Sequence, residues 1–191
     1  DSTDEYGDTL LHIATYAKDA DFVRFLIEEG ADLFTREGGD GETALEIARE
    51  HGYEHIVTML EEAGAGFFEK IESAVASEDL GTVRTLLQDN PKIVNSEGAA
   101  QSMFVELLTT AIEHDRDEIA QVLIESGINL DARIENEVTA LMVAAYLGKP
   151  ELVKLLLVHG AEIEAMDKAG YTAFRYAAEE MHVEVTKMLR E

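Results

Sequence analysis

A recurring apolar frame is the feature that most constrains the fold of this chain. The segment PELVKLLLVHGAEIEA (150–165) has counterparts in ADFVRFLIEEGADLFT (20–35), EHIVTMLEEAGA (54–65), LGTVRTLLQDNPKIVN (80–95), DEIAQVLIESGINLDA (117–132) and VEVTKMLRE (183–191). The starts of these frames lie 34, 26, 37, 33 and 33 residues apart. Periods in this range predict a stacked array of small units, because one such unit cannot bury its apolar face alone.

Each frame is predicted to be the second helix of a unit, and the segment before it is predicted to be the first helix. Every such segment is centred on an alanine, whose small side chain lets neighbouring helices approach closely. These alanines are Ala14, Ala48, Ala74, Ala111, Ala144 and Ala177. Four threonines stand where a hydroxyl group caps the first helix of a unit: Thr9, Thr43, Thr139 and Thr172. Four glycines stand where the second helix ends with a positive φ: Gly30, Gly64, Gly127 and Gly160.

The pattern G-x-T-x-L-x-x-A, followed by a second helix and G-A-x-apolar, resembles the ankyrin repeat. It is clearest in GDTLLHIA and LIEEGADL (within 7–33) and in TALMVAAYLGKPELVKLLLVHGAEI (139–163). The resemblance implies an all-α ankyrin-repeat solenoid of stacked helix-turn-helix units with short β-turn fingers, forming a single domain over 1–191. The expected units are 4–36, 37–65, 66–98, 99–133, 134–166 and 167–191. The proline that usually follows the family threonine is missing, and the family histidine is kept only at His12.

The spacing is irregular between residues 65 and 100, where we expect a seam in the array. The 26-residue step leaves no room for a finger after Ala65, so Gly66-Phe67-Phe68 is predicted to lead straight into a helix. The 37-residue step contains Asp89-Asn90-Pro91 and the segment SEGAAQSMF (96–104). That composition predicts a longer, irregular loop over 88–103 before the fourth unit.

Acidic residues dominate the charge of the chain. Its 40 acidic and 15 basic residues give a formal net charge of −25. Four basic and 17 acidic residues over 1–65 make that segment the most negative, at −13. Such a field attracts basic protein partners and repels nucleic acid and anionic membrane surfaces. The alternative interpretation is that the acidity serves solubility.

Motifs for catalysis or for metal binding are weak. The chain has no cysteine, and no G-x-S-x-G motif presents a serine nucleophile. The glycine-rich stretch 38–41 lacks the Lys-Ser/Thr of a phosphate-binding loop, so a finger turn is expected there. His51 and His55 have the i, i+4 spacing of a metal pair, but the repeat places His51 in a turn. We therefore predict no enzyme, no metal and no cofactor, and a cytoplasmic monomer without a membrane span.

With no motif for catalysis or metal binding, the candidate functional feature of this chain is a protein-binding surface. The resemblance implies that a partner is bound on a concave face lined by fingers and first helices, where tyrosines and carboxylates suit a partner that carries Arg or Lys. The candidate partner-binding residues are Tyr6, Asp8, Tyr16, Asp40, Glu42, Glu50, His51, Glu113, His114, Glu135, Asn136, Tyr146, Leu147, Tyr171, Glu179 and Glu180.

Two functional hypotheses follow. The first is a non-catalytic protein-protein interaction module that binds a basic partner on this acidic face, with an inhibitor of a cationic toxin or effector as a narrower version. The second is a scaffold or assembly segment of a larger chain, whose acidity serves solubility. Asp1 is not an initiator methionine, and the final unit is short, which motivates the second hypothesis.

Overall fold

A computed structural model describes residues 8–38, 41–96 and 98–190. The chain divides into two compact units, Asp1–Lys70 and Ile71–Glu191. Thirteen α-helices and one short 3-10 helix form the regular structure of the described residues. The all-α fold of paired helices that the resemblance implies is therefore confirmed. The boundaries of the six repeats and the assignment of 1–191 to a single domain stay predictions.

The first unit contains two complete helix pairs and the start of a fifth helix. Its helices are α1 (Leu10–Tyr16), α2 (Ala20–Glu28), α3 (Ala44–Glu50), α4 (Glu54–Glu62) and the beginning of α5 (Phe67–Ala76). Within the first unit, α1 packs on α2 and α3, and α4 packs on α2 and α3. Leu11, Val23, Leu45, Ile56 and Leu60 form the centre of its core, since each is at most 2% exposed.

The second unit has the same kind of paired helices and begins at the end of α5. Its further helices are α6 (Leu80–Asp89), α7 (Pro91–Val94), α8 (Ala99–Glu113), α9 (Asp117–Glu125), the 3-10 helix Glu135–Glu137, α10 (Ala140–Tyr146), α11 (Pro150–Val158), α12 (Ala173–Glu179) and α13 (Val183–Met188). The first helices α8, α10 and α12 lie side by side, and so do the second helices α6, α9, α11 and α13. This places residues at equivalent positions of α8, α10 and α12 in one row.

The predicted caps are present at three of the four threonines. The hydroxyl groups of Thr43, Thr139 and Thr172 accept hydrogen bonds from the amide three residues on, at 3.3–3.4 Å. Thr9 differs, because its hydroxyl group lies 3.2 Å from Nδ1 of the His12 side chain in the same helix. That Nδ1 also accepts the Thr9 amide, at 3.0 Å, so Thr9 and His12 form a reciprocal cap. The glycines predicted to end the second helices all have the expected positive φ, between 81° and 100°.

A left-handed residue joins the two helices of each pair, four positions after the central alanine. These residues are Lys18, Gly52, Glu78, Asp115, Gly148 and Met181, with φ between 55° and 67°. At Gly52 and Gly148 the lack of a Cβ atom removes the strain that the other four side chains tolerate. The sequence alone does not reveal this position, because only two of its six residues are glycine.

The stretch between residues 65 and 103 confirms one prediction and corrects another. Helix α5 begins at Phe67, as the missing finger required. The irregular loop predicted over 88–103 is wrong for most of its length, because α6 runs to Asp89 and α7 and α8 fill much of the remainder. Pro91 stands in the first turn of α7, where proline is tolerated. In α8, Ala100 and Phe104 are both fully buried, and this burial extends the helix through a segment that looked irregular.

Candidate functional site

In each unit, a row of exposed side chains follows the ends of the first helices. The residues two positions after the central alanines of α1, α3, α8, α10 and α12 are Tyr16, Glu50, Glu113, Tyr146 and Glu179. All five are exposed. In the first unit the row runs from Tyr16 to Glu50. In the second unit the helix order places Tyr146 between two carboxylate positions.

The first unit surrounds Tyr16 with acidic groups. The Tyr16 hydroxyl donates a hydrogen bond of 2.7 Å to Oε2 of Glu37. This hydrogen bond, with smaller contributions from burial and from nearby carboxylates, raises the pKa of Tyr16 to about 12. Asp8 is one of those carboxylates and is half-buried. Tyr16 is therefore held by an internal partner, although 42% of it stays exposed.

Glu42 and Glu50 form a like-charge pair beside this tyrosine. Removal from water raises the pKa of Glu42, and repulsion from Glu50 raises it further. The neighbouring arginines are engaged elsewhere, since Arg36 pairs with Glu46 at 2.9 Å and Arg49 pairs with Glu61 and Glu69.

Three carboxylates therefore lie close together without a cation. Among the described residues, no Lys or Arg forms an ion pair with Glu37, Glu42 or Glu50. We call Glu37, Glu42 and Glu50 the first-unit acidic cluster.

An imidazole ring lies next to Tyr16. The ring centroid of His51 is 5.8 Å from that of Tyr16, in an edge-to-face arrangement, and 5.4 Å from that of Tyr53. Nδ1 of His51 lies 3.0 Å from the carbonyl oxygen of Ile47, so it donates to the end of α3. Two other candidate residues of the first unit, Tyr6 and Asp40, lie outside the described residues.

Three tyrosines meet in the second unit. The ring centroid of Tyr176 lies 6.1 Å from that of Tyr146, edge to face, and 5.6 Å from that of Tyr171. The Tyr176 hydroxyl donates to Oδ2 of Asp167 at 2.7 Å. That bond, with burial and the charge of Asp167, raises the pKa of Tyr176 to about 12. The candidate residue Tyr146 is thus in contact with Tyr176, which the sequence did not indicate as a candidate.

Arg175 supplies an internal cation at one end of this aromatic group. Its guanidinium carbon lies 3.6 Å from the centroid of the Tyr171 ring, and its Nε donates to Oε1 of Glu179 at 2.9 Å. One face of Tyr171 is therefore already covered, and Glu179 is already paired. These two candidates are less available to a partner cation than the sequence indicated.

An open groove of about 380 Å³ lies in the second unit, and we call it the tyrosine groove. It is lined by Glu113, Val138, Met142, Val143, Tyr146, Leu147 and Tyr176. Met142 and Val143 are nearly buried, whereas 48% of Tyr146 and 36% of Leu147 are exposed. Glu113 is the one acidic residue of the lining.

The other candidates lie outside both the first-unit acidic cluster and the tyrosine groove. His114 ends α8, with Nδ1 2.9 Å from the carbonyl oxygen of Thr110, and Glu180 is exposed after α12. Glu135 and Asn136 are exposed at a finger tip, where the backbone carbonyl oxygen of Asn136 accepts the Lys168 amide at 2.9 Å.

Sequence reasoning missed Glu37, Met142, Val143 and Tyr176 as members of the site. A usable signal existed for Tyr176, which stands three residues before Glu179 on the same helix face. Within the described ranges, no group of three or more His, Cys, Asp or Glu side chains has an arrangement that could hold a metal ion. No helix of the described part is both long enough and apolar enough to span a bilayer.

Stacked pairs of short helices define a helical repeat protein. A comparison with family profiles identifies which kind of repeat it is. The profile for ankyrin repeats (3 copies) matches residues 1–70 and 108–191. The chain belongs to the ankyrin-repeat family. Ankyrin repeats are general protein-protein interaction modules, and proteins that consist of them are generally non-catalytic.

Curated relatives from several organisms carry similar segments. The ankyrin repeat domain-containing protein SAT10 of Stachybotrys chartarum is 31% identical over 92% of this chain and 9% of its own length. The ankyrin repeat and KH domain-containing protein mask of Drosophila melanogaster is 32% identical over 53% of this chain and 2% of its own length. Glycerophosphocholine phosphodiesterase gde1 of Schizosaccharomyces pombe is 33% identical over 44% of this chain and 7% of its own length. The chain thus spans less than a tenth of each of these relatives.

Proposed function

We propose that this chain is a non-catalytic binding module that recognises a basic protein partner through the carboxylates and tyrosines on the side of its first helices. The observation that carries the proposal is the first-unit acidic cluster. Removal from water, followed by repulsion from Glu50, raises the pKa of Glu42. A cationic side chain of a partner that enters the cluster replaces this repulsion with attraction.

The net charge supports the same partner chemistry. A charge of −25 steers cationic proteins toward the chain and speeds their association at low salt. The same field disfavours nucleic acid and anionic lipid as partners. The exposed face of Tyr16 adds apolar area and a cation-binding ring next to the carboxylates.

The test uses a labelled arginine-rich peptide as the probe and measures its dissociation constant by fluorescence anisotropy over a range of salt concentrations. The variant Glu42→Gln/Glu50→Gln is compared with Glu28→Gln/Glu29→Gln, which removes the same charge from the end of the second helix α2. We expect the first variant to weaken binding about fivefold more than the second, and the difference to shrink as salt rises. Equal weakening by both variants contradicts the proposal, because the acidity would then act only through net charge.

A second candidate function rests on the length of the relatives. Because the similar segments occupy less than a tenth of the three relatives described above, this chain is also proposed as a scaffold segment of a larger protein. In that case the carboxylates and tyrosines on the first helices bind another part of the same assembly. Immunoblotting of the source cells with an antibody against residues 8–190 tests this: a product much larger than 21.1 kDa supports the scaffold, and a product of that size contradicts it.

A further inference from the structure

The tyrosine groove differs from the first-unit acidic cluster because its walls are apolar. Apart from Glu113, the lining consists of apolar and aromatic residues, namely Val138, Met142, Val143, Tyr146, Leu147 and Tyr176. Exposed tyrosine and leucine side chains that meet in a groove release water when an apolar side chain covers them. An apolar side chain of a partner therefore fits the groove better than a charged group does.

Internal contacts hold the groove in shape before any partner binds. Tyr176 is fixed by its hydrogen bond to Asp167, and its ring packs edge to face on Tyr146. Nε2 of His182 lies 2.8 Å from the carbonyl oxygen of Tyr146, so it donates there and ties α10 to the segment before α13. A preformed site loses little conformational entropy on binding, which favours affinity.

A carboxylate in the groove indicates that the partner segment also carries a cation beside its apolar side chain. Glu113 lines the groove, is exposed, and forms no ion pair with any described residue. Glu179, which occupies the equivalent position on α12, is already paired with Arg175. Glu113 is therefore the carboxylate that is available to a cation carried by whatever occupies the groove.

We propose that the tyrosine groove binds a protein segment in which a large apolar side chain is next to Arg or Lys. The apolar side chain enters between Tyr146, Leu147 and Tyr176, and the adjacent cation meets Glu113. This inference rests on the proposed function and deepens it, since it names a local sequence in the basic partner rather than its overall charge. A segment that is apolar but acidic is disfavoured, because its carboxylate would be placed beside Glu113 and within the negative field of the chain.

The test is a peptide matrix measured by NMR titration of the methyl resonances of Met142 and the ring resonances of Tyr146 and Tyr176. The probe is a blocked Gly/Ser peptide with Arg-Phe-Arg at its centre, and its matched versions carry Gln-Phe-Gln, Arg-Gly-Arg and Glu-Phe-Glu. We expect Arg-Phe-Arg to shift these resonances with a dissociation constant in the millimolar range or below. Loss of either the aromatic or the basic residues should weaken binding at least about fivefold.

Variants of the protein assign each half of the recognition. Tyr146→Ala should remove the dependence on Phe, and Glu113→Gln should remove the dependence on Arg, as in a double-mutant cycle. Val158→Ala and Glu151→Gln on α11 are the matched controls, since both residues are exposed and lie outside the groove. Spectra of the free variants verify that they are folded.

The outcomes separate this inference from the proposed function. If Arg-Gly-Arg binds as tightly as Arg-Phe-Arg, the groove proposal is wrong while recognition by charge stands. If Glu-Phe-Glu binds best, or if the groove variants respond like their controls, the groove proposal is also wrong. If no peptide shifts any resonance of either unit, both proposals fail.

Discussion

The hydroxyl of Tyr176 and the carboxylate of Asp167 are joined by a hydrogen bond of 2.7 Å that links a finger to the wall of the tyrosine groove. The other oxygen of Asp167 accepts the amides of Ala169 and Tyr171, at 2.9 and 2.8 Å. The Tyr171 amide, followed by the Tyr176 hydroxyl, lowers the pKa of Asp167. One carboxylate thus organises both the turn before α12 and the aromatic group on it.

Replacement of this carboxylate by a neutral amide should change the titration of Tyr176. In Asp167→Asn we expect the pKa of Tyr176 to fall from about 12 toward its ordinary value of 10.0, because a negative acceptor no longer opposes ionisation. Phenolate absorbance during an alkaline titration measures this change. Tyr16, which is held by Glu37, should keep its pKa of about 12 in the same variant. A titration identical to that of the wild type would contradict the role given to Asp167.

The same variant should show where Asp167 contributes to acid stability. Its folded-state pKa is lowered, so its contribution is present above the ordinary value of 3.8 and is lost as the pH falls through the lowered pKa. We expect Asp167→Asn to be less stable than the wild type at neutral pH and to approach it in acid. Urea unfolding at a series of pH values measures the difference. A difference that stays constant over the acid range would rule out this linkage.

The pair of Glu42 and Glu50 should affect stability in the opposite direction to Asp167, because its ionised form should destabilise the fold at neutral pH. The folded-state pKa of Glu42 is raised above the ordinary value of 4.5, so the ionised pair destabilises the fold at neutral pH, and this penalty disappears as the pH falls through the raised pKa. We therefore expect Glu42→Gln to have a higher Tm than the wild type at pH 7 and nearly the same Tm in acid. Thermal unfolding at both pH values tests this, with Glu28→Gln as the control. A lower Tm at pH 7 would contradict the repulsion.

Two glycines in equivalent left-handed turns should respond differently to the same substitution. A Cβ atom at Gly52 meets nothing within 4 Å, so Gly52→Ala should cost only the strain of a positive φ, about 1 kcal/mol. At Gly148 a Cβ atom would lie 2.3 Å from Nδ1 of His182, so Gly148→Ala adds a clash with the ring that donates to Tyr146. We expect the second cost to exceed the first by about 1–3 kcal/mol in urea unfolding. Equal costs would show that the His182 ring moves aside freely.

His12 should be a structural histidine. Its ring is 1% exposed; Nδ1 accepts the Thr9 amide, and Nε2 donates to the Thr35 carbonyl oxygen at 3.0 Å. His12→Leu leaves both backbone groups without this partner and should lower the free energy of unfolding by about 2–4 kcal/mol. His55→Leu, at an exposed position of α4, is the matched control and should change it by less than about 0.5 kcal/mol. Similar costs for the two variants would refute the structural role.

Much of the fold follows from short-range patterns. The apolar frame, the central alanines and the threonine caps indicate two helices per unit because they depend on spacings within one turn or one helix. The start of α5 at Phe67 was predictable for the same reason, since a 26-residue step has no room for a finger. By contrast, α7 and the early start of α8 were not predicted, because the burial of Ala100 and Phe104 outweighed a segment with turn-like composition.

The candidate site was predicted only in part. Within each unit, the exposed positions on the first helices could be placed by counting from the central alanines, because equivalent positions of stacked helices share a face. The internal pairing of Tyr171 and Glu179 with Arg175 could not, since it depends on rotamers that no repeat frame specifies.

By itself, the sequence determined that this chain is an acidic array of ankyrin-type helix pairs, because period, cap and charge are properties of nearby residues and of composition. Tertiary structure alone decided that Glu42 lies beside Glu50, that Tyr146 meets Tyr176, and that Glu113 is without an ion pair in the described part of the chain. Those meetings join different helices and fingers, and they depend on how closely the first helices pack. The chemistry of the candidate surface is therefore set by packing between repeats, whereas the repeat itself is set by local sequence.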